Sequence, residues 1–352
     1  MNRKRIIPVA AVAALTIAAL TACSSGSNSS SGSTSGSTKA PSNLTSISAP
    51  LSGQLGDKSF MDSANDGFQR ADKDLGVNIK VVQAGASDAP AWERNLTQAS
   101  ASGSYGLIVT GGTVMASTLE KVAKQFPKQK YLIFDSPSVG SNVTGISYKQ
   151  NESAFMAGAL AALVTDNPAE FPRAKGTKKV GIAGGQDIPV IRDYIDGYTQ
   201  GAKAVDPSIT VDVRFINDFS SSQKGYDLAT SMYDSGDDVV YQAAGAAGLG
   251  VLQAGQAAGR YSIGTDSNQN YLHPDSVLGS ALKQVGNTVY SGIQSYLKGD
   301  LKAGATIEGN IANQGVGIAY NDKLVPSDIT AKLDGYQKQI ESGAIKVNTA
   351  LQ

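Results

Sequence analysis

The chain has 352 residues, with 30 Lys and Arg against 30 Asp and Glu, 41% hydrophobic residues, 39 glycines, one Cys and one His. Balanced charge with no basic excess argues against nucleic acid and polyanionic ligands as partners. A lone Cys and a lone His leave no disulfide and no Cys/His metal set, and nothing in the pattern hints at a Ser–His pair, so what remains is a large, turn-rich globular protein with a real core.

The N-terminus reads as a secretory leader. Arg3-Lys4-Arg5 is a basic start, Ile6–Ala19 is an apolar run broken only by Pro8, and Leu20-Thr21-Ala22-Cys23 closes it. The run is short for a membrane span. Leu-Thr-Ala-Cys resembles a bacterial lipobox, which implies cleavage of residues 1–22 and lipidation of Cys23, and more than one acyl chain gives stable anchoring. Residues 24–38 are almost entirely Ser and Gly and predict a tether, so 23–42 is read as the lipidated Cys and its linker. Loss of the three leader cations turns the charge weakly acidic.

Beyond Pro41, apolar runs of strand length alternate with segments of helical period. Leu44–Ala49 predicts a strand and Phe60–Leu75 a helix, followed by strand Val77–Gln83, helix Pro90–Ser102, strand Gly106–Thr110, helix Val114–Phe126, and strands Lys130–Asp135 and Val143–Tyr148. Helix Ser153–Val164 and a turn-like segment, Asn167–Gly176, precede a second cycle. Its strands are Lys179–Ala183, Ile209–Phe215, Asp238–Gln242, Tyr261–Thr265 and Val277–Leu282. Its helices are Ile191–Val205, Ser221–Ser235, Ala246–Ala258 and Val285–Leu297. Strand Val316–Tyr320 and helix Pro326–Glu341 finish the chain. The fold class is α/β: two doubly wound parallel-sheet, Rossmann-like domains with a ligand cleft between them. Residues 43–148 form a first lobe completed by about 270–310, and residues 149–268 a second completed by about 311–352.

Ligands of open parallel sheets sit at the carboxyl ends of the strands. Several of those ends carry Gly or Asp: Gly111, Asp135, Gly184, Gly245 and Asp266. Carboxylates accept from two hydroxyls at once, so Asp135 and Asp266 facing one cleft suit a sugar, although a strand-end Asp also serves as a turn former. Lys283 follows an apolar run and is either a solvated surface lysine or a donor to the same hydroxyls. The stretch Gly53-Gln54-Leu55-Gly56-Asp57-Lys58-Ser59 precedes a helix with Asp57 or Ser59 as its cap. Its spacing is wrong for a phosphate loop, and Asp57 puts a carboxylate where phosphates would sit. Phe60, in the first helical turn, is a core aromatic or a stacking plate for a flat ring. Gly245-Ala246-Ala247-Gly248-Leu249-Gly250 lacks the Gly-x-Gly-x-x-Gly spacing of a dinucleotide loop. No Gly-x-Ser-x-Gly elbow is present, and His273 reads as a surface loop residue.

The lipobox, Gly56-Asp57-Lys58-Ser59-Phe60, Tyr131–Ser136, Asn151–Leu163, Gly264–Gln269 and Val277–Lys283 together resemble basic membrane protein (BMP) family lipoproteins, from about residue 45 to about 340. The resemblance implies a type I periplasmic binding protein fold and a substrate-binding lipoprotein of an ABC importer for purine nucleosides such as adenosine, guanosine or inosine. It implies that Phe60 stacks on the base, that Asp266 and Lys283 hold the ribose hydroxyls, and that Asp135 lies on the base side. Gly245 and Gly248 match the sugar-side turn, and Tyr241 is the candidate second stacking aromatic. Asp57 joins these as a loop ligand. Met61 stands where Asn is usual, Asn65 where an aromatic is usual and Asn268 where Asp is frequent, so Asp62 is the candidate to take over the polar role of position 61. The expected partners are the permease and ATPase subunits of the transporter and the membrane reached through the lipid anchor. The expected state is a monomer with no cofactor, no metal and no catalysis. A monosaccharide- or signal-binding lipoprotein of the same fold is the alternative, and a nucleoside-cleaving enzyme the alternative of a different class.

Overall fold

The computed structural model describes residues 43–351. The leader, Cys23 and the Ser/Gly tether lie outside the described residues. Among the described residues, no helix is long and apolar enough to cross a membrane.

The first cycle comprises β1 (Ser46–Pro50), α1 (Phe60–Leu75), β2 (Asn78–Val82), α2 (Ala89–Ala101), β3 (Leu107–Gly111), α3 (Ala116–Gln125), β4 (Tyr131–Phe134) and β5 (Val143–Tyr148). The second comprises α4 (Gln150–Asp166), β6 (Lys179–Gly184), α5 (Pro189–Val205), β7 (Thr210–Phe215), α6 (Ser222–Asp234), β8 (Val239–Ala243), α7 (Ala247–Ala257), β9 (Tyr261–Asp266) and β10 (Val277–Lys283). Then come α8 (Val285–Lys298), β11 (Thr306–Gly309), β12 (Val316–Tyr320) and α9 (Ser327–Glu341).

The strands form two six-stranded sheets, ordered β11-β5-β4-β3-β1-β2 and β12-β10-β9-β8-β6-β7. All pairings are parallel except β10 with β12. The central strands are buried on both faces, as in the LIVTG run of β3, because helices cover each side and leave no polar face to alternate with. The order of each sheet reverses beside its first strand, between β1 and β3 and between β6 and β8. Such switch points leave a crevice at the carboxyl ends of the strands.

The helix connecting the cycles is apolar all round. Fifteen of the 17 residues of α4 are buried, which marks a helix enclosed by protein. It packs on α5 through small residues. A Cβ on Gly158 would meet the Tyr198 carbonyl, one on Gly197 would meet the Asn151 backbone, and one on Gly201 would meet the Phe155 carbonyl. The chain crosses between sheets at Lys149, at Gln284 and through Asn310–Gly315. β10 runs parallel to β9 in the second sheet, and only α8 and β11 rejoin the first. The short strand β11 was not foreseen, since three of its four residues are exposed and it carries no apolar period.

Candidate functional site

A cavity of about 250 Å³ lies where the two switch points face each other, lined by Ser52 and Gly112 from one sheet and by Ala243, Ala244 and Gly245 from the other. Phe60, Asp135, Asp266 and Lys283 also line it.

Asp135 directly follows β4, and Asp266 is the last residue of β9. β4 and β9 hold the same place in the order of their sheets, so the two carboxylates are equivalent positions of the two lobes. Both take left-handed backbone, φ 61 and φ 64, a region that Asp tolerates better than most residues and that turns the strand sharply into its loop. Each is held by a group from the other side. Lys283, at the end of β10, places Nζ 2.8 Å from Asp135 Oδ1. Ser59, in the loop before α1, donates Oγ to Asp266 Oδ2 at 2.7 Å, and Tyr194 of α5 donates its hydroxyl to Asp266 Oδ1 at 3.0 Å.

Lys283 and Asp135 are only 2% and 8% exposed. Burial pushes the Asp135 carboxyl up, and the Lys283 ammonium pulls it back only in part. The ammonium also lies over three rings, 5.3 Å from the centroid of Phe60, 5.6 Å from Tyr148 and 5.1 Å from Tyr194. Paired charge and aromatic faces replace the water that a buried ammonium has lost. The second oxygen of Asp135 accepts no hydrogen bond from a described residue, which leaves it an open acceptor toward the cavity.

Phe60 opens α1 and packs at 5.5 Å and 51° against Phe134. Phe219, in the loop after β7, also lines the cavity. Its ring occupies space that a Cβ at Gly185 would fill, and a Cβ at Gly245 would also touch it. The sequence reading missed Phe219. Its one signal is an aromatic set among Asn217, Asp218 and Ser220 immediately past a strand end. It also missed Tyr194, although Val190, Ile191 and Tyr194 share one face of the start of α5, and all three line the cavity.

The remaining expected residues divide between the cavity wall and the structure around it. Tyr241 is fully buried within β8, stacked on Tyr198 at 5.4 Å, because the cavity begins two residues later at the strand end. Gly248 lies in α7 against the Gln242 side chain, so its lack of a Cβ serves helix-to-sheet packing. Gly245 does line the cavity, with φ 55. Asp57 borders the cavity, but its two oxygens accept backbone N–H bonds from Ser59 at 3.0 Å, Met61 at 2.9 Å and Asp62 at 3.0 Å. It caps α1, and burial raises its carboxyl to about 6 against the downward pull of those bonds. Asp62 faces the loop, accepting from Gly56 N at 2.7 Å and Lys58 N at 3.0 Å, and does not line the cavity. His273 lies in the loop between β9 and β10, away from the cavity. Among the described residues, no group of His, Cys, Asp and Glu could hold a metal ion.

Two doubly wound lobes, three chain crossings and a cavity lined by carboxylates, one buried cation and flat rings define a solute-binding protein. Residues 44–350 match the family model described as ABC transporter substrate-binding protein PnrA-like, the Bmp family, and the chain belongs to that family. It is 32% identical over 342 residues to the ABC transporter nucleoside-binding protein BmpA of Lactococcus lactis subsp. cremoris, covering 91% of this chain and 92% of that protein. It is 31% identical to the CD4+ T-cell-stimulating antigen of Listeria monocytogenes, over 84% of this chain and 85% of the relative. Among solved structures, an ABC transporter solute-binding protein from Aeropyrum pernix K1 superposes with a TM-score of 0.78 at 25% identity, covering 87% of this chain and 94% of its own.

Proposed function

We propose that this protein captures a purine nucleoside, closes its lobes on it and delivers it to the permease of an ABC importer. The observation that carries the reading is that two carboxylates, a buried ammonium and the aromatic rings of Phe60, Tyr194 and Phe219 line one small cavity. Vicinal hydroxyls can donate to Asp135 and Asp266 and accept from Lys283. Phe60 and Phe219 offer ring faces on which a neutral flat base can stack, with such contacts worth about 0.5–1.5 kcal/mol each. The nucleoside-binding relative in Lactococcus supports the same reading. A single ammonium already paired with Asp135 favours an uncharged ligand over a phosphorylated one. In this reading Asp57 and Asp62 act indirectly, by fixing the turn that presents Phe60 and Ser59. The lobes would comprise the two sheets with their helices, and Cys23 would carry the lipid that holds the protein at the extracytoplasmic face of the membrane.

A nucleoside of about 20 heavy atoms at roughly −0.4 to −0.5 kcal/mol per atom gives about −8 to −10 kcal/mol, or micromolar to tens of nanomolar affinity. Calorimetric titration with inosine, adenosine, guanosine, ribose and galactose tests this. At least one nucleoside is expected to bind in that range, to be recovered intact, and to lose roughly tenfold or more in affinity on Phe60→Ala. Heat from ribose or galactose alone would replace the reading by a monosaccharide binder, and release of free base would make the protein an enzyme.

A further inference from the structure

The chain beyond α9 returns across α4 and α5 without secondary structure, yet it is tied down residue by residue. Asn151 Nδ2 donates to the carbonyls of Val347 at 3.0 Å and Asn348 at 3.1 Å. Gln200 donates to the Asn348 carbonyl at 3.0 Å and accepts from its N–H at 2.8 Å. Asp193 Oδ1 accepts from Thr349 Oγ1 at 2.5 Å and from Ala350 N at 2.9 Å. Every one of these partners lies on α4 or α5.

Asp193 is wholly buried, and its position is unusual in what it joins. Its other oxygen accepts from Gln150 Nε2 at 2.5 Å. Gln150 is the first residue of α4, immediately after the chain crosses from the first sheet to the second. The next residue along α5 is Tyr194, whose hydroxyl reaches Asp266 and whose ring lies under the Lys283 ammonium. One carboxylate therefore touches the terminal segment and the lobe crossing while its neighbour in sequence touches the ligand cavity.

We propose that Val347–Ala350 is a strap that sets the rotation of α5 against α4, and that Asp193 is the positioning residue through which it places Tyr194 in the cavity. The backbones of α4 and α5 meet at Gly158, Gly197 and Gly201. Glycine contacts fix the spacing of two helices but offer no side-chain ridge to lock their rotation. The Gln150–Asp193 bond ties the helices directly at one end, and the strap adds a lock from outside, with hydrogen bonds to Asn151 on one helix and to Asp193 and Gln200 on the other. A small rotation of α5 about its axis would carry the Tyr194 hydroxyl out of the 3.0 Å contact with Asp266 and leave that carboxylate free to move from its ligand-binding position.

The test uses the full chain with Thr349→Val, which keeps the shape and removes the hydroxyl, and Thr349→Ser, which restores it. Two quantities are read: the Kd for the nucleoside bound by the wild type, and ligand-free amide hydrogen exchange. Thr349→Val is expected to raise Kd roughly five- to twentyfold and to speed exchange at Gln150, Asn151 and the first turns of α5, with α6 and α7 unchanged. Thr349→Ser is expected to match the wild type in both. A lower melting temperature for Thr349→Val with unchanged Kd and exchange would make the strap mere packing and overturn the inference. The Kd readout rests on the nucleoside reading. If the wild type bound no nucleoside, that reading would fall, and exchange at Gln150 and α5 alone would decide the strap.

Discussion

At the scale of single residues, the buried charges divide into those facing the cavity and those locked in structure. Asp237 belongs to the second kind. It is fully buried beside Lys179, 3.5 Å away. Burial, with the neighbouring Asp212 carboxylate, raises it to about 7. In an unfolded chain an Asp titrates near 3.9. The folded protein therefore holds this proton more tightly. The stability it contributes is complete below about pH 4 and is lost as pH rises through about 7. Asp57, raised to about 6, acts in the same direction. Urea unfolding of wild type and Asp237→Asn at about pH 5 and about pH 8 should show the wild type losing more stability across that interval than the variant. Parallel losses in the two proteins would contradict this assignment.

At the scale of elements, glycine carries two opposite meanings. Gly201 of α5 has no room for a Cβ because the Phe155 carbonyl of α4 occupies that space, whereas Gly335 in α9 has nothing within 4 Å. Gly201→Ala should destabilise by about 1–3 kcal/mol or more through forced separation of the helices. Gly335→Ala should stabilise by about 0.5–1 kcal/mol, because alanine has less backbone freedom to lose in mid-helix. Denaturant midpoints read both effects, and equal signs would refute the close-packing account of α4 and α5. Helix α1 makes a related point about the site. Its first turn carries Phe60, and its capping acceptor Asp57 and neighbour Ser59 set where that ring and the Asp266 carboxylate sit.

At the scale of the whole molecule, several hydrogen bonds join the two sides beside the cavity. Lys283 to Asp135, Ser59 to Asp266, and Gln269 Nε2 to the Lys58 carbonyl at 3.0 Å all join opposite sides close to the cavity. A ligand that engages both carboxylates adds to these bonds only when the lobes are together, so binding and closure are linked. Saturating nucleoside is expected to shrink the radius of gyration in X-ray scattering and to stabilise the fold by about 2.7 kcal/mol at one hundred times Kd. Stabilisation with an unchanged scattering profile would mean that the lobes are closed without ligand.

Much of this was legible in the residues. The α/β alternation, the Phe60–Leu75 helix with its observed limits, and the strand-end positions of Asp135 and Asp266 follow from local signals: apolar period, strand length and the turn chemistry of Gly and Asp. Those signals act over a few residues and survive without tertiary context. The sequence also carried the motifs that mark the family. Only the folded chain decided the rest. Tyr241 and Phe219 are both aromatics near strand ends, and nothing local says that one points into the core and the other into the cavity. Asp57 and Asp135 are both carboxylates in the cavity wall, but one meets three backbone N–H groups and the other a lysine 148 positions away. Which lobe β10 and β11 join, and what holds residues 347–350, depend likewise on partners distant in sequence. A side chain's role here is set by the groups that share its burial, and local pattern cannot specify those groups.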